Sequence, residues 1–197
     1  MYIQIGSPVR TRDDHVGEVH RVVVDLDREA VASIVVLKGH LLSRDILVPL
    51  EYVEAADEDG VQLKLTTAEL EDLPDFAYNE ILSPPPTWAF PLPYPGGAVY
   101  IPVSQRERLG SNQVDLTPGT PVLAADGELG TVDEVEAEEG SGRVDAFWVK
   151  TGRLAGDELR IPVEWVDRLD ERGIHIATAR DDVESRLRHE SQARRPG

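Results

Sequence analysis

Short apolar runs, interrupted at regular intervals by glycine, proline or clustered acidic residues, extend along most of the chain. Runs of this length, rich in valine and isoleucine, predict β-strands joined by tight turns and not amphipathic helices. Met1 to Gly6 enters a strand pattern at once, and Ser7-Pro8-Val9-Arg10 reads as a short strand. Asp13 to Gly17 is a polar turn, Glu18 to about Leu26 a strand, Asp27-Arg28-Glu29 a turn, and Val31 to Leu37 the next strand. Gly39 to Asp45 reads as a loop, Ile46-Leu47-Val48 as a strand, and Val61 to Leu65 alternates cleanly. Val19 and Val22 stand three apart, which breaks the two-residue period of one strand face and predicts a β-bulge. Thr66 and Glu69 have capping-box spacing, opening a short helix that must stop before Pro74.

The same pattern occurs twice. One constant shift carries Gly6 onto Gly119, Pro8 onto Pro121, Gly17 onto Gly130, Val19 and Val22 onto Val132 and Val135, Gly39 onto Gly152, Pro49 onto Pro162 and Gly60 onto Gly173, with no gap. Glycines and prolines recurring in register mean that the same turns recur. Pro49 and Pro162 cannot donate to a ladder and are expected at strand ends or edges, each followed by a Glu-aromatic-Val turn at Glu51-Tyr52-Val53 and Glu164-Trp165-Val166. About five strands per copy point to a small antiparallel barrel or sandwich. The expected division is residues 1–76, a connecting segment 77–115, and 116–197 with a helical C-terminal tail from Asp181 to about His189.

The connecting segment contains Pro84-Pro85-Pro86, Pro91, Pro93 and Pro95 interleaved with Trp88, Phe90, Tyr94 and Tyr100. Proline at that density favours extended backbone, and the rings argue against a solvated spacer. It reads either as a strap that buries its rings on the barrels or as a docking segment for a partner's groove.

Charge narrows the partners. The net charge of −17 is spread over both copies, with 7 Lys and Arg against 16 Asp and Glu in residues 1–78 and 13 against 21 in the remainder. Phosphate neutralisation drives nucleic-acid binding, so acidic surfaces on both copies disfavour it. Arg186, Arg188, Arg194 and Arg195 form the chain's one basic bias, interleaved with Glu184 and Glu190. The chain has no cysteine, no stretch long enough to span a bilayer, and an N-terminus without a targeting pattern, which together read as an unanchored cytoplasmic protein.

Chemistry is sparse. Asp13, Asp14, His15 and His20 could be pictured as metal ligands, but the second copy has Asp126-Gly127-Glu128 there, a hairpin signature in which aspartate bonds its own turn. Asp25, Asp27 and Glu29 align with Glu138, Gly140 and Gly142, another turn. His40 and His175 lack a placed carboxylate or nucleophile, and Ser43, Ser104 and Ser111 lack a nucleophile-elbow context. No catalytic residue, metal site or cofactor is expected.

The early Gly-x-Pro-Val, the Gly-x-Val strand, and the Pro-x-Glu-aromatic-Val turn resemble the PRC-barrel family. In this chain these marks are Gly6, Pro8, Val9, Gly17, Val19, Val36, Pro49, Glu51 and Val53 with their partners in the second copy, covering 1–76 and about 116–185. The resemblance implies two tandem six-stranded β-barrels, used in known settings to hold other macromolecules. Those settings are the cytoplasmic domain of the photosynthetic reaction centre H subunit, the C-terminal domain of a ribosome maturation factor, and stand-alone prokaryotic proteins. The expected function is a non-enzymatic protein-interaction or assembly module whose partner is basic or exposes an apolar docking surface. An accessory role in RNA processing or ribosome maturation is the alternative, and a small-ligand-binding barrel the third. Homodimerisation stays open.

Overall fold

The computed structural model describes residues 1–39, 44–81, 103–151, 158–170, 172–180 and 182–183. The first sheet is built from β2 (Pro8–Arg10), β3 (His15–Asp25), β4 (Ala30–Lys38), β5 (Arg44–Pro49), β6 (Val53–Asp57) and β7 (Gly60–Leu63). A 3₁₀ turn at Leu50–Tyr52 and helix α1 (Thr67–Glu71) complete this unit. The second sheet holds β11 (Pro121–Ala124), β12 (Gly127–Ala137), β13 (Val144–Lys150), β14 (Glu158–Pro162), β15 (Val166–Asp170) and β16 (Gly173–Ile176), with a 3₁₀ turn at Val163–Trp165. Strand order is β5-β4-β3-β2-β7-β6 in one and β14-β13-β12-β11-β16-β15 in the other. The orders coincide when Gly6 is laid on Gly119.

Two expectations are corrected. Neither ladder closes on itself, because the strands at the two ends of each path do not pair. The sheets are not wholly antiparallel, since β2 runs parallel to β7 and β11 parallel to β16. The six strands along each path agree in number with what the resemblance implies, and the one that periodicity did not pick out, β6, follows the 3₁₀ turn in a stretch, Val-Glu-Ala-Ala-Asp, that alternates poorly.

The bulges lie where the valine spacing puts them. The β3–β4 register shifts between Val19 and Arg21 and the β12–β13 register between Val132 and Glu134, so Val19, Val22, Val132 and Val135 all point into the core. The capping box at Thr66 is complete: its side chain accepts from the Glu69 amide, and the Glu69 carboxylate accepts from the Thr66 amide at 2.8 Å. Of the expected C-terminal helix, Arg180, Asp182 and Val183 are described as helical and the remainder lies outside the described residues.

The sheets exchange strands. β1 (Tyr2–Gln4) pairs with β12 of the second sheet, and β10 (Gln113–Leu116) pairs with β3 of the first. Ile3 lies opposite Val135 and Leu116 opposite Val22, so the two seams have the same register under the repeat. At each crossing the chain turns through a glycine at positive φ, Gly6 at 89° and Gly119 at 92°, where a Cβ would be strained. The hairpin tips also meet reciprocally: the Val31 amide donates to the Gly142 carbonyl at 2.8 Å and the Val144 amide to the Glu29 carbonyl at 2.9 Å. These paired contacts describe a pseudo-two-fold axis beside the Ala30–Arg143 bridge. One apolar cluster runs through both sheets, from Ile3, Val22 and Leu63 to Val135, Phe147 and Ile174. Burial of that continuous surface is the main force holding the units together.

Candidate interaction site

Several of the acidic and histidine groups singled out by sequence make hydrogen bonds within the fold. Asp13 accepts at Oδ1 from the Thr67 amide at 2.8 Å and from the hydroxyls of Thr11 and Thr67 at 2.9 and 3.0 Å. Those bonds favour the carboxylate, with the Thr67 amide first, and hold its pKa below the usual range. Asp126 repeats the arrangement in the second copy, accepting from the Arg180 amide at 2.9 Å with the same downward shift. Each aspartate thus pins the start of a helix to the β-turn. Asp14 accepts from the His15 amide, and His20 Nδ1 lies 2.9 Å from Asp45 Oδ1 across β3 and β5. Asp25 accepts from the amides of Asp27 and Arg28, while Asp27 accepts from Asn112 Nδ2 at 2.6 Å. His175 Nε2 stands 3.1 Å from Asp170 Oδ1. Among the described residues no three histidine or acidic side chains converge as a metal site. His40 and Ser43 lie outside the described residues, Ser104 falls in a β-strand and Ser111 in a turn.

The strap and docking readings of the connecting segment rest on residues that lie outside the described ones. β8 (Ala77–Ile81) and β9 (Val103–Glu107) form a two-stranded antiparallel ribbon in which Ile81 is the partner of Val103. Residues 82–102, with Trp88, Phe90, Tyr94 and Tyr100, lie outside the described residues, and the residues that flank them, Ile81 and Val103, are strand partners. The ribbon is rooted in the first sheet. The Phe76 amide donates to the Asp45 carbonyl at 2.7 Å, the Leu47 amide to the Pro74 carbonyl at 3.0 Å, and the Arg108 amide to the Phe76 carbonyl at 2.7 Å. Phe76 is buried against Val23, Val35, Leu47 and Leu109 on the outer face of β3–β5.

Arg21 joins these parts. Its guanidinium sits 5.1 Å from the Phe76 ring centroid, pairs with Asp115 of β10, and lies 3.5 Å from Glu107 of the ribbon. A half-buried arginine stacked on an aromatic ring and flanked by two carboxylates is a strong fixing point. Neither Arg21 nor Phe76 stood out in the sequence. The one available signal was Arg21 inside the broken valine period, which marks the bulge that turns its side chain outward.

When the chain is compared with known families, a model of the PRC-barrel domain matches residues 5–70. Over those residues the chain is similar to the PRC-barrel domain. The matched stretch takes in β2 to β7 and reaches Leu70 of α1, while β1 and β10 fall outside it. No curated protein matches the chain in a sequence search. Within the matched stretch, Gly17 lies so close to β4 that a Cβ would collide with the Leu37 carbonyl oxygen, and Gly130 stands in the same relation to the Lys150 carbonyl in the second sheet. Gly39 follows β4 at φ 88°, and Pro49 ends β5 as Pro162 ends β14. Gly152 lies outside the described residues, as do Arg186, Arg188, Arg194 and Arg195. Among the described residues no helix is long and apolar enough to cross a membrane.

Proposed function

We propose that this protein is a non-enzymatic interaction module in which the PRC-barrel-like unit and a second, like unit formed by the repeat carry residues 82–102 as the segment that binds a protein partner. The pairing of Ile81 with Val103 carries the reading: a segment rich in proline and aromatic residues leaves and returns through one ribbon, rooted in the first sheet by Phe76 and Arg21. Proline-rich extended segments dock with little ordering entropy left to lose, and aromatic side chains supply most of the energy in small interfaces. The ties made by Asp13, Asp126, His20 and His175 support a structural and not a catalytic use of these groups.

Because Ile81 and Val103 are cross-strand partners, residues 82–102 can be replaced by an Asn-Gly hairpin turn. The shortened chain is expected to keep its melting temperature and to lose the partners captured from a native lysate. Replacing Trp88, Phe90 and Tyr94 by alanine should remove the same partners. An unchanged partner set in both variants would sink the proposal.

A further inference from the structure

The two sheets present equivalent outer faces that are finished differently. In the first sheet, cross-strand neighbours Arg21, Val35 and Leu47 form a row. Phe76 and Leu109 pack over this face, and Val35 is fully buried. The equivalent row in the second sheet is Glu134, Trp148 and Arg160. No described residue packs over it as Phe76 does, and Tyr2 beside it is 44% exposed.

The difference in charge says what would complete the second face. Where the first sheet has the Arg21 guanidinium, held by Asp115 and Glu107 and stacked on an aromatic ring, the second has a carboxylate beside an indole. Arg160 is already committed, with Nε and Nη2 donating to Glu136 at 2.7 and 2.9 Å, and Lys150 is bound to Asp133 at 2.6 Å. Glu134 has no ion pair among the described residues. Burial raises its pKa first, and Asp133, Glu158, Glu136 and Glu58 around it raise it further. Among the described residues the face thus has an aromatic side chain and, at Glu134, negative charge that no cation pairs.

We infer that the outer face of β12–β13–β14, centred on Glu134 and Trp148, is a docking surface for an arginine-bearing peptide segment of a partner. An incoming guanidinium there takes the place relative to the sheet that Arg21 holds in the first unit, paired with Glu134 and stacked on Trp148. This surface is separate from residues 82–102 and goes beyond the loop reading.

The probe is a labelled acetyl-Ala-Arg-Ala-Arg-Ala-Arg-Ala-amide peptide, titrated into the full chain by fluorescence anisotropy at low salt. Its lysine and glutamate counterparts serve for comparison. Glu134→Gln should weaken binding at least fivefold, and Trp148→Ala should weaken it at least as much in a chain whose melting curve shows it folded. Glu54→Gln, which removes an exposed carboxylate from β6 of the other sheet, should change binding less than twofold. Glu134→Arg should abolish binding and raise the melting temperature by supplying the cation in cis. The chain with residues 82–102 replaced should bind the peptide as the full chain does, so failure on this face leaves the loop reading standing. Equal losses in Glu134→Gln and Glu54→Gln would mean that the peptide follows only the net charge of −17, and would overturn the inference. So would the absence of binding, or a lysine peptide bound as tightly as the arginine one.

Discussion

Ile3 lies opposite Val135, in a strand of the other sheet, and is fully buried there. The side chain that completes the second unit's core therefore comes from the segment that leads into the first. Leu116, opposite Val22, does the reverse. No single cut in the chain leaves both sheets whole.

Truncating either residue should consequently be felt in the sheet to which it is paired. Ile3→Ala is expected to cost about 2–4 kcal/mol, as for other large-to-small changes at closed core sites. Amide exchange should accelerate first in β12 and β13, not in β2 and β3. Leu116→Ala should show the opposite distribution. Chemical denaturation followed by hydrogen exchange tests both, and for each variant a single unfolding transition should be retained.

Gly17 and Gly130 are the points of closest strand approach. Gly17→Ala forces a methyl against the Leu37 carbonyl and Gly130→Ala against that of Lys150, so β3 or β12 must move away from its neighbour. We expect a loss of about 2–3 kcal/mol for each, by denaturant titration. A smaller loss at Gly130 than at Gly17 would show that the second sheet yields more easily.

Glu29 and Gly142 occupy equivalent hairpin tips, at φ 50° and 72°. Glu29→Gly should relieve left-handed strain in a non-glycine residue and stabilise the chain by up to about 1 kcal/mol, net of the added freedom of the unfolded state. Gly142→Ala should destabilise it, since the added methyl meets the Leu50 side chain and lies 2.9 Å from the Val31 carbonyl oxygen. Thermal melts of the two variants should shift in opposite directions.

Glu134 and Glu136 predict opposite pH dependences. The folded-state pKa of Glu134 is raised, so the group binds its proton more tightly in the folded chain, and stability falls as pH rises upward from the ordinary glutamate value of 4.5. Glu134→Gln should therefore stabilise the chain at pH 7 and lose that advantage at pH values below 4.5. The pKa of Glu136 is lowered by its bonds from Arg160, so its contribution is present above 4.5 and lost as pH falls through the depressed value. Glu136→Gln should destabilise at pH 7 and converge on the parent in acid. Melting temperatures across the acid range distinguish the two.

Much of the local structure was legible. The constant shift between the copies, the Val19–Val22 spacing, the Thr66 capping box and the placement of Pro49 each encode a turn, a bulge or a stop through backbone geometry that neighbouring residues settle among themselves. The turn reading of Asp13 rested on its second copy and agrees with the bond to Thr67.

What the linear pattern could not carry was which sheet each strand joins. An apolar strand such as Tyr2-Ile3-Gln4 satisfies its period equally on either sheet, and its backbone donors pair equally well with β3 or β12. Only the packed chain, with Gly6 and Gly119 turning the strands across the pseudo-two-fold, decided for exchange. The positions of Arg21 and Glu134 were likewise visible as residues, but not as counterparts on two faces, one covered by Phe76 and one with no such cover among the described residues. Turns and bulges are short-range properties of the chain. Strand partnership, face coverage and the pairing of β8 with β9 arise from contacts distant in sequence, which burial selects only when the whole core assembles.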